Sequence, residues 1–184
     1  MPAVFLATFS CVRSYTIQTR QRNGDDFSLD PKTLEQYYLC HFRMVWNLCY
    51  TYLRNVQDVE DAVQDTFLRL AAEGNRFSDP EHVKAWLIVT SKNVCKDELK
   101  KARRKNLSLE DADGRTASIP EPDETLEAVR SLPLKLRTAI YFFYYEGLST
   151  RQIAELLDRK ESTVRSDLHR GRTLLRKALE RSYK

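Results

Sequence analysis

The chain has 184 residues, 42% of them hydrophobic and 30% charged, with a formal net charge of +4. That length suits one domain or two small ones, and the apolar fraction excludes a disordered tail. A net charge this small leaves any nucleic-acid case resting on where the cations sit, not on how many there are.

Residues 1–29 show no sustained period and read as an N-terminal extension. Their apolar stretch "AVFLATFSCV" is too short to span a bilayer and has no basic region before it, so neither membrane insertion nor secretion is expected. At Asp30-Pro31 an N-cap and a proline at the first helical position open a helix that should run to about Arg54. Leu34, Tyr37, Tyr38, Cys40, His41, Val45, Leu48, Cys49 and Tyr52 recur along it at helical spacing and form its expected buried face. Asp58 is the expected cap of a second helix, "DVEDAVQDTFLRLAAEG", with Val59, Ala62, Val63, Thr66, Phe67 and Leu70 as its stripe and Gly74 as its terminator. Its other face carries Asp58, Glu60, Asp61, Gln64 and Asp65. After the loop "NRFSDPEH", a third helix from near Glu81 is apolar first and then strongly cationic: Lys96, Lys100, Lys101, Arg103, Arg104 and Lys105 against Asp97 and Glu98. Cations suit a helix C-terminus, but six in so short a span exceed what the helix dipole requires.

The composition then inverts. Residues 106–124 hold most of an acidic, proline-containing stretch without hydrophobic period, the composition of a linker. Beyond it, Leu126, Val129 and Leu132, then Leu136, Ala139, Ile140, Phe143 and Tyr144, mark two short helices, the second ending at Gly147. Ser149 with Gln152 makes a capping box for "TRQIAELL", whose inner face is Ile153, Leu156 and Leu157. A four-residue turn leads into "STVRSDLHRGRTLLRKALERS". At 100° per residue, Val164, Leu168, Gly171 and Leu175 share one buried face, where Gly171 permits close helix approach. Ser162, Ser166, His169, Arg170 and Thr173 lie opposite, flanked by Arg165, Arg172 and Arg176.

The expected architecture is therefore all-α: two small helical domains, 30–105 and 125–184, joined by an acidic linker, the second carrying a helix-turn-helix. A short helix followed by a basic one across a tight turn fits a DNA reader, because Arg can grip guanine bidentately while Ser and His donate to base edges or phosphates. A basic solvated helix is the bland alternative. The four cysteines, Cys11, Cys40, Cys49 and Cys95, lack ligand spacing, so they read as reduced thiols, mostly core, in a cytoplasmic protein, with no metal or other cofactor expected. No nucleophile–base spacing or glycine-rich phosphate loop suggests an enzyme.

The stretch "LPLKLRTAIYFFYYEGLSTRQIAELLDRKESTVRSDLHRGRTLLRKAL" resembles region 4 of bacterial sigma factors of the extracytoplasmic-function (ECF) group. Independently, "DVEDAVQDTFLRL" resembles their region 2.2, and "AWLIVTSKNVCKDELKKARR" their regions 2.3 and 2.4. The resemblance implies a non-enzymatic protein that binds core RNA polymerase, through the β′ clamp helices and the β flap, and directs it to promoter DNA. It implies that Asp58, Glu60, Asp61, Gln64 and Asp65 dock on the clamp helices. It further implies that Asn75, Arg76, Phe77, Ser78 and Asn93 hold a single-stranded −10 element while Lys92, Lys96, Lys100, Arg103 and Arg104 track its phosphates. Asn93 reads equally as a buried structural amide, and Trp86 is expected in the core. Arg165, Ser166, His169 and Arg170 match −35 contact positions, and Arg151, Thr163 and Arg172 are assigned to the same element. An anti-sigma factor is a further partner the resemblance allows. Three departures stand out: Asp167 where arginine is common, which should remove a phosphate clamp and add a repulsive charge; Arg159 where a small or apolar residue is usual; and His169 where a relative has an aromatic reader. A free-standing helix-turn-helix regulator is the alternative function; it would need a sensory domain that residues 31–105 do not show.

Overall fold

The computed structural model describes residues 29–73, 77–104 and 124–182, and among them every regular element is helical. In chain order these are α1 Pro31–Tyr52, α2 Val56–Glu73, α3 Pro80–Arg104, α4 Glu124–Arg130, α5 Leu134–Tyr144, α6 Thr150–Leu157 and α7 Glu161–Ser182. The acidic linker, Gly74, Asn75, Arg76, Lys105 and Cys11 lie outside the described residues.

Local chemistry explains most of the helix ends. Asp30 accepts from Thr33 N at 3.1 Å with Pro31 in the first turn, as the sequence predicts. The second helix begins three residues earlier than expected: Asn55 Oδ1 accepts from Gln57 N at 3.0 Å, so Asn55 is the cap and Asp58 sits in the first turn. Asp79 opens α3 by accepting from His82 N at 2.8 Å. Gly147, with φ +67°, turns the chain after α5 at a left-handed angle that glycine adopts without strain. The capping box of α6 is complete: Gln152 N donates to Ser149 Oγ at 3.3 Å, and Ser149 N donates to Gln152 Oε1 at 2.9 Å.

α1, α2 and α3 pack on one another around Val45, Leu48, Val59, Val63, Leu70, Val83, Leu87 and Ile88, all buried. Leu29 joins this core, and its N–H donates to Ala71 O at 3.0 Å. Trp86 is buried, as expected. Two positions on the expected inner face of α1 are instead exposed: Cys40, and Tyr38, which lies against Phe67 at the edge of an open groove between α1 and α2. α5, α6 and α7 form the second core around Ile140, Phe142, Ile153, Leu157, Val164 and Leu168. There α7 crosses α5 closely at Gly171, where an added Cβ would stand 2.8 Å from Ile140 Cγ1.

The two helical groups also touch. α1 packs against α4 and α5, so Tyr50 and Thr51 are buried although they lie off the stripe that faces α2 and α3. None of the helices among the described residues is long and apolar enough to cross a membrane.

Candidate nucleic-acid and polymerase interfaces

α6 and α7 set up one candidate surface. The turn between them closes through Asp158, which adopts the left-handed conformation with φ 55°, and through Thr150 Oγ1, which donates to Glu161 Oε1 at 2.6 Å. That hydroxyl, and next the Arg165 guanidinium, hold the Glu161 carboxyl below its ordinary pKa. With Val164, Leu168 and Gly171 packed inward, the sequence-predicted residues Thr163, Arg165, Ser166, His169, Arg170 and Arg172 are all exposed on α7. Arg151 is exposed on α6, 3.3 Å from Glu155. Several donors are held locally: Arg165 on Glu161 at 2.7 Å, Arg170 on Asp167 at 2.7 Å, and Arg172 Nε on Leu168 O at 3.2 Å. Of these, the exposed Arg165–Glu161 pair is weak and can be exchanged for phosphate or base acceptors at small cost, whereas the Asp167 carboxylate that holds Arg170 is buried.

α3 and the loop before it set up a second surface. Phe77 is half-buried, edge-on to Tyr37, His82 and Trp86 with ring centroids 6.4, 5.4 and 5.8 Å away. Next to it Ser78 is exposed and donates through Oγ to Asp79 Oδ2 at 2.8 Å. The His82 amide, and then the Ser78 hydroxyl, lower the Asp79 carboxyl pKa. Asn93 is half-buried, and Lys96, Lys100 and Arg103 are exposed further along the helix, Lys100 with Asp97 at 2.8 Å. Arg104 ends α3, but its side chain is outside the described set. Lys92 stands apart from these cations. It is buried, its Nζ donates to Leu156 O at 3.0 Å, and desolvation, aided by Lys96, pulls its pKa down to about 8. The expected row of phosphate-tracking cations is thus broken at Lys92 in this arrangement, because α6 covers it.

The acidic face of α2 is a third surface. Asp61 and Gln64 are exposed, Asp58, Glu60 and Asp65 half-exposed, and Asp65 pairs with Arg69 at 2.9 Å. Burial, then Glu98 and Asp61, raise the Asp58 carboxyl pKa. Glu60 and Gln64 also border an apolar groove of about 700 Å³ between α1 and α2, lined by Leu34, Tyr38, Phe42, Trp46, Val63 and Phe67. Carboxylates beside an open apolar groove suit a basic, partly apolar protein partner. No group of His, Cys, Asp and Glu among the described residues could hold a metal ion.

Comparison with known proteins assigns both halves. The family model for sigma-70 region 2 matches residues 37–105, and that for sigma-70 region 4 matches residues 123–175. The chain is 30% identical over 150 residues to the ECF RNA polymerase sigma factor SigL of Mycobacterium tuberculosis, covering 76% of this chain and 85% of that one. The chain belongs to the ECF group of sigma-70 family sigma factors. It is also 32% identical over 148 residues to SigE of Mycolicibacterium smegmatis, where the match covers 74% of this chain and 57% of that longer one. With SigW of Bacillus subtilis it shares 29% identity over 154 residues, 73% of this chain and 82% of that one. In fold it resembles the sigma factor RpoE, solved with the anti-sigma factor NepR from Bartonella quintana. The TM-score is 0.65 at 22% identity, covering 81% of this chain and 98% of that one.

Within this sigma factor, two of the three departures from the family pattern explain each other. Asp167 is not the exposed repulsive charge the sequence suggests. It is 2% exposed, with Arg159 Nη1 3.2 Å from Oδ2 and Arg170 Nη2 2.7 Å from Oδ1. Arg159 in the turn is thus the cation that accompanies Asp167 in the helix. Sequence reasoning missed Tyr37 and His82, which flank Phe77, and it missed Arg137. That arginine is 4% exposed, and its guanidinium serves backbone carbonyls of both halves. The available signal was a second cation, after Lys135, amid the apolar residues of "LKLRTAIYFF".

Proposed function

We propose that this sigma factor binds core RNA polymerase and directs promoter-specific initiation by recognising −35 and −10 elements, acting by binding and not by catalysis. The observation that carries the reading is the pairing of two matched domains, each presenting exposed cations and hydroxyls from a rigid helix: α7 in one, α3 with its preceding loop in the other. Arg165, Ser166, His169 and Arg170 read −35 base edges in the major groove, and Arg151, Thr163 and Arg172 hold the backbone beside them. Phe77, Ser78 and Asn93, together with Asn75 and Arg76, receive unstacked −10 bases, while Lys96, Lys100, Arg103 and Arg104 neutralise phosphates. Asp58, Glu60, Asp61, Gln64 and Asp65 dock on the basic clamp helices of polymerase, and the second domain reaches the β flap. A free-standing regulator, the other use of such a helix pair, accounts for neither the region 2 match nor the acidic face of α2.

The docking assignment is tested by reversing charge in the double variant Asp61→Arg, Asp65→Arg. Both side chains stand at the surface, so circular dichroism should be unchanged. Affinity for core polymerase should fall by about 30-fold or more, on the order of 2 kcal/mol for opposed interface charges. Undiminished affinity contradicts the assignment.

A further inference from the structure

The groove between α1 and α2 lies where the chain enters the described fold. Leu29, the first described residue, is buried, and its N–H donates to Ala71 O at 3.0 Å. Ala71 itself and Pro31, two residues on from Leu29, line the groove. Residues 1–28 therefore lead into the fold beside its wall.

The groove is apolar and open. Tyr38 lies between Phe42 and Phe67, with ring centroids 5.0 and 4.8 Å away, yet it is 42% exposed, and Leu68 is 63% exposed. Aromatic and leucine side chains left bare in one concavity mark a surface built to be covered. Glu35 and Glu60 stand on its border. The leading segment has the complementary chemistry. Residues 1–12, MPAVFLATFSCV, carry no acidic or basic side chain and include Val4, Phe5, Leu6 and Phe9; Arg13, Arg20 and Arg22 follow. Apolar first and cationic next, it matches a groove that is apolar inside with carboxylates at the border.

Reach is ample. The twenty residues from Phe9 to Leu29 span up to about 66 Å when extended, whereas the groove runs about 18 Å along α1 from Leu34 to Trp46. Tethering also favours the chain's own segment over the same segment of a second copy. Joined at the groove wall, it meets the groove at a local concentration of about 1 mM, which a second copy matches only at millimolar protein.

We propose that the groove binds residues 3–12 of its own chain, with Phe5 and Phe9 against Tyr38 and Leu68, and that core polymerase must displace this segment to reach α2. The second clause rests on the docking assignment, because Glu60 and Gln64 belong to both surfaces. A tethered segment whose free peptide binds at about 0.1 mM fills the groove in about nine molecules of ten. Polymerase then meets an open site in about one molecule of ten, and its apparent affinity falls in proportion.

The test uses the full chain with Phe9 replaced by the photo-crosslinker p-benzoylphenylalanine. After irradiation, mass spectrometry should find the crosslink within one chain, on peptides that carry Tyr38 or Leu68. Adding Leu68→Glu, at an exposed position, should lower the yield about fivefold or more with an unchanged circular dichroism spectrum. No crosslink in the groove, a crosslink elsewhere, or one that joins two copies overturns the seating of the segment. In a separate arm, the double variant Phe5→Ser, Phe9→Ser should raise affinity for core polymerase by about tenfold. Unchanged affinity beside a groove crosslink overturns the competition. Failure of the docking assignment itself has a different signature: Asp61→Arg, Asp65→Arg would leave polymerase affinity intact.

Discussion

Asp167 lies beside the exposed face of α7, buried, with one arginine on each carboxylate oxygen. Arg170 is therefore tethered on one side, which restricts the directions its guanidinium can take. The sequence shows Asp167 and Arg159 only as two separate irregularities. Pairing them requires the left-handed turn at Asp158 that brings a residue eight positions earlier back beside the helix, and periodicity within α7 carries no information about that turn. Removing the carboxylate in Asp167→Ala should cost about 1–3 kcal/mol, the usual loss when hydrogen-bonded charged groups forfeit a buried partner. Because both deletions break the same contact, Arg159→Ala combined with Asp167→Ala should cost less than the sum of the two single variants. Urea denaturation of the four proteins measures this, and strict additivity would show that the pair does not act as one.

At the scale of elements, helix faces and most helix ends were legible because they are set locally. Asp30-Pro31 and the Ser149–Gln152 box satisfy first-turn amides from within a few residues, so spacing alone finds them. The start of α2 was misplaced because Asn55 and Asp58 both offer a capping oxygen. α1 ends at Tyr52, leaving Asn55 free to bond Gln57 N, and Asp58 becomes a first-turn charge at the positive end of the helix. The same local logic exposes Gly171 as the point where α7 meets α5. Adding a methyl there places carbon 2.8 Å from Ile140 Cγ1 and 3.2 Å from Cδ1. Gly171→Ala should therefore lose about 1 kcal/mol in thermal or urea unfolding, the overpacking cost outweighing alanine's better helix propensity. Pairing it with Ile140→Ala should show a favourable coupling energy, since the second change removes the obstructing atoms. A Gly171→Ala protein more stable than its parent would mean the helices do not pack this closely.

At the scale of the whole molecule, two domains and their order were readable from composition, whereas the way they meet was not. The burial of Tyr50 and Arg137 and the diversion of Lys92 come from contacts 64 to 85 residues apart along the chain, beyond any local period. A cation in an apolar stretch can hint at such a contact but cannot name the carbonyl that accepts it. The site residues follow the same division. α7's exposed face was legible because one helix presents it, while Phe77's surroundings need α1, α3 and the loop before α3 to come together. Whether this sigma factor confers promoter choice on polymerase is tested most directly by runoff transcription with purified core polymerase and a promoter library. The predicted result is a discrete set of initiated promoters, with Arg165→Ala and Arg170→Ala each weakening −35 use by roughly 1–3 kcal/mol per lost base contact. No promoter-specific transcript above core polymerase alone, from a folded protein, would contradict it.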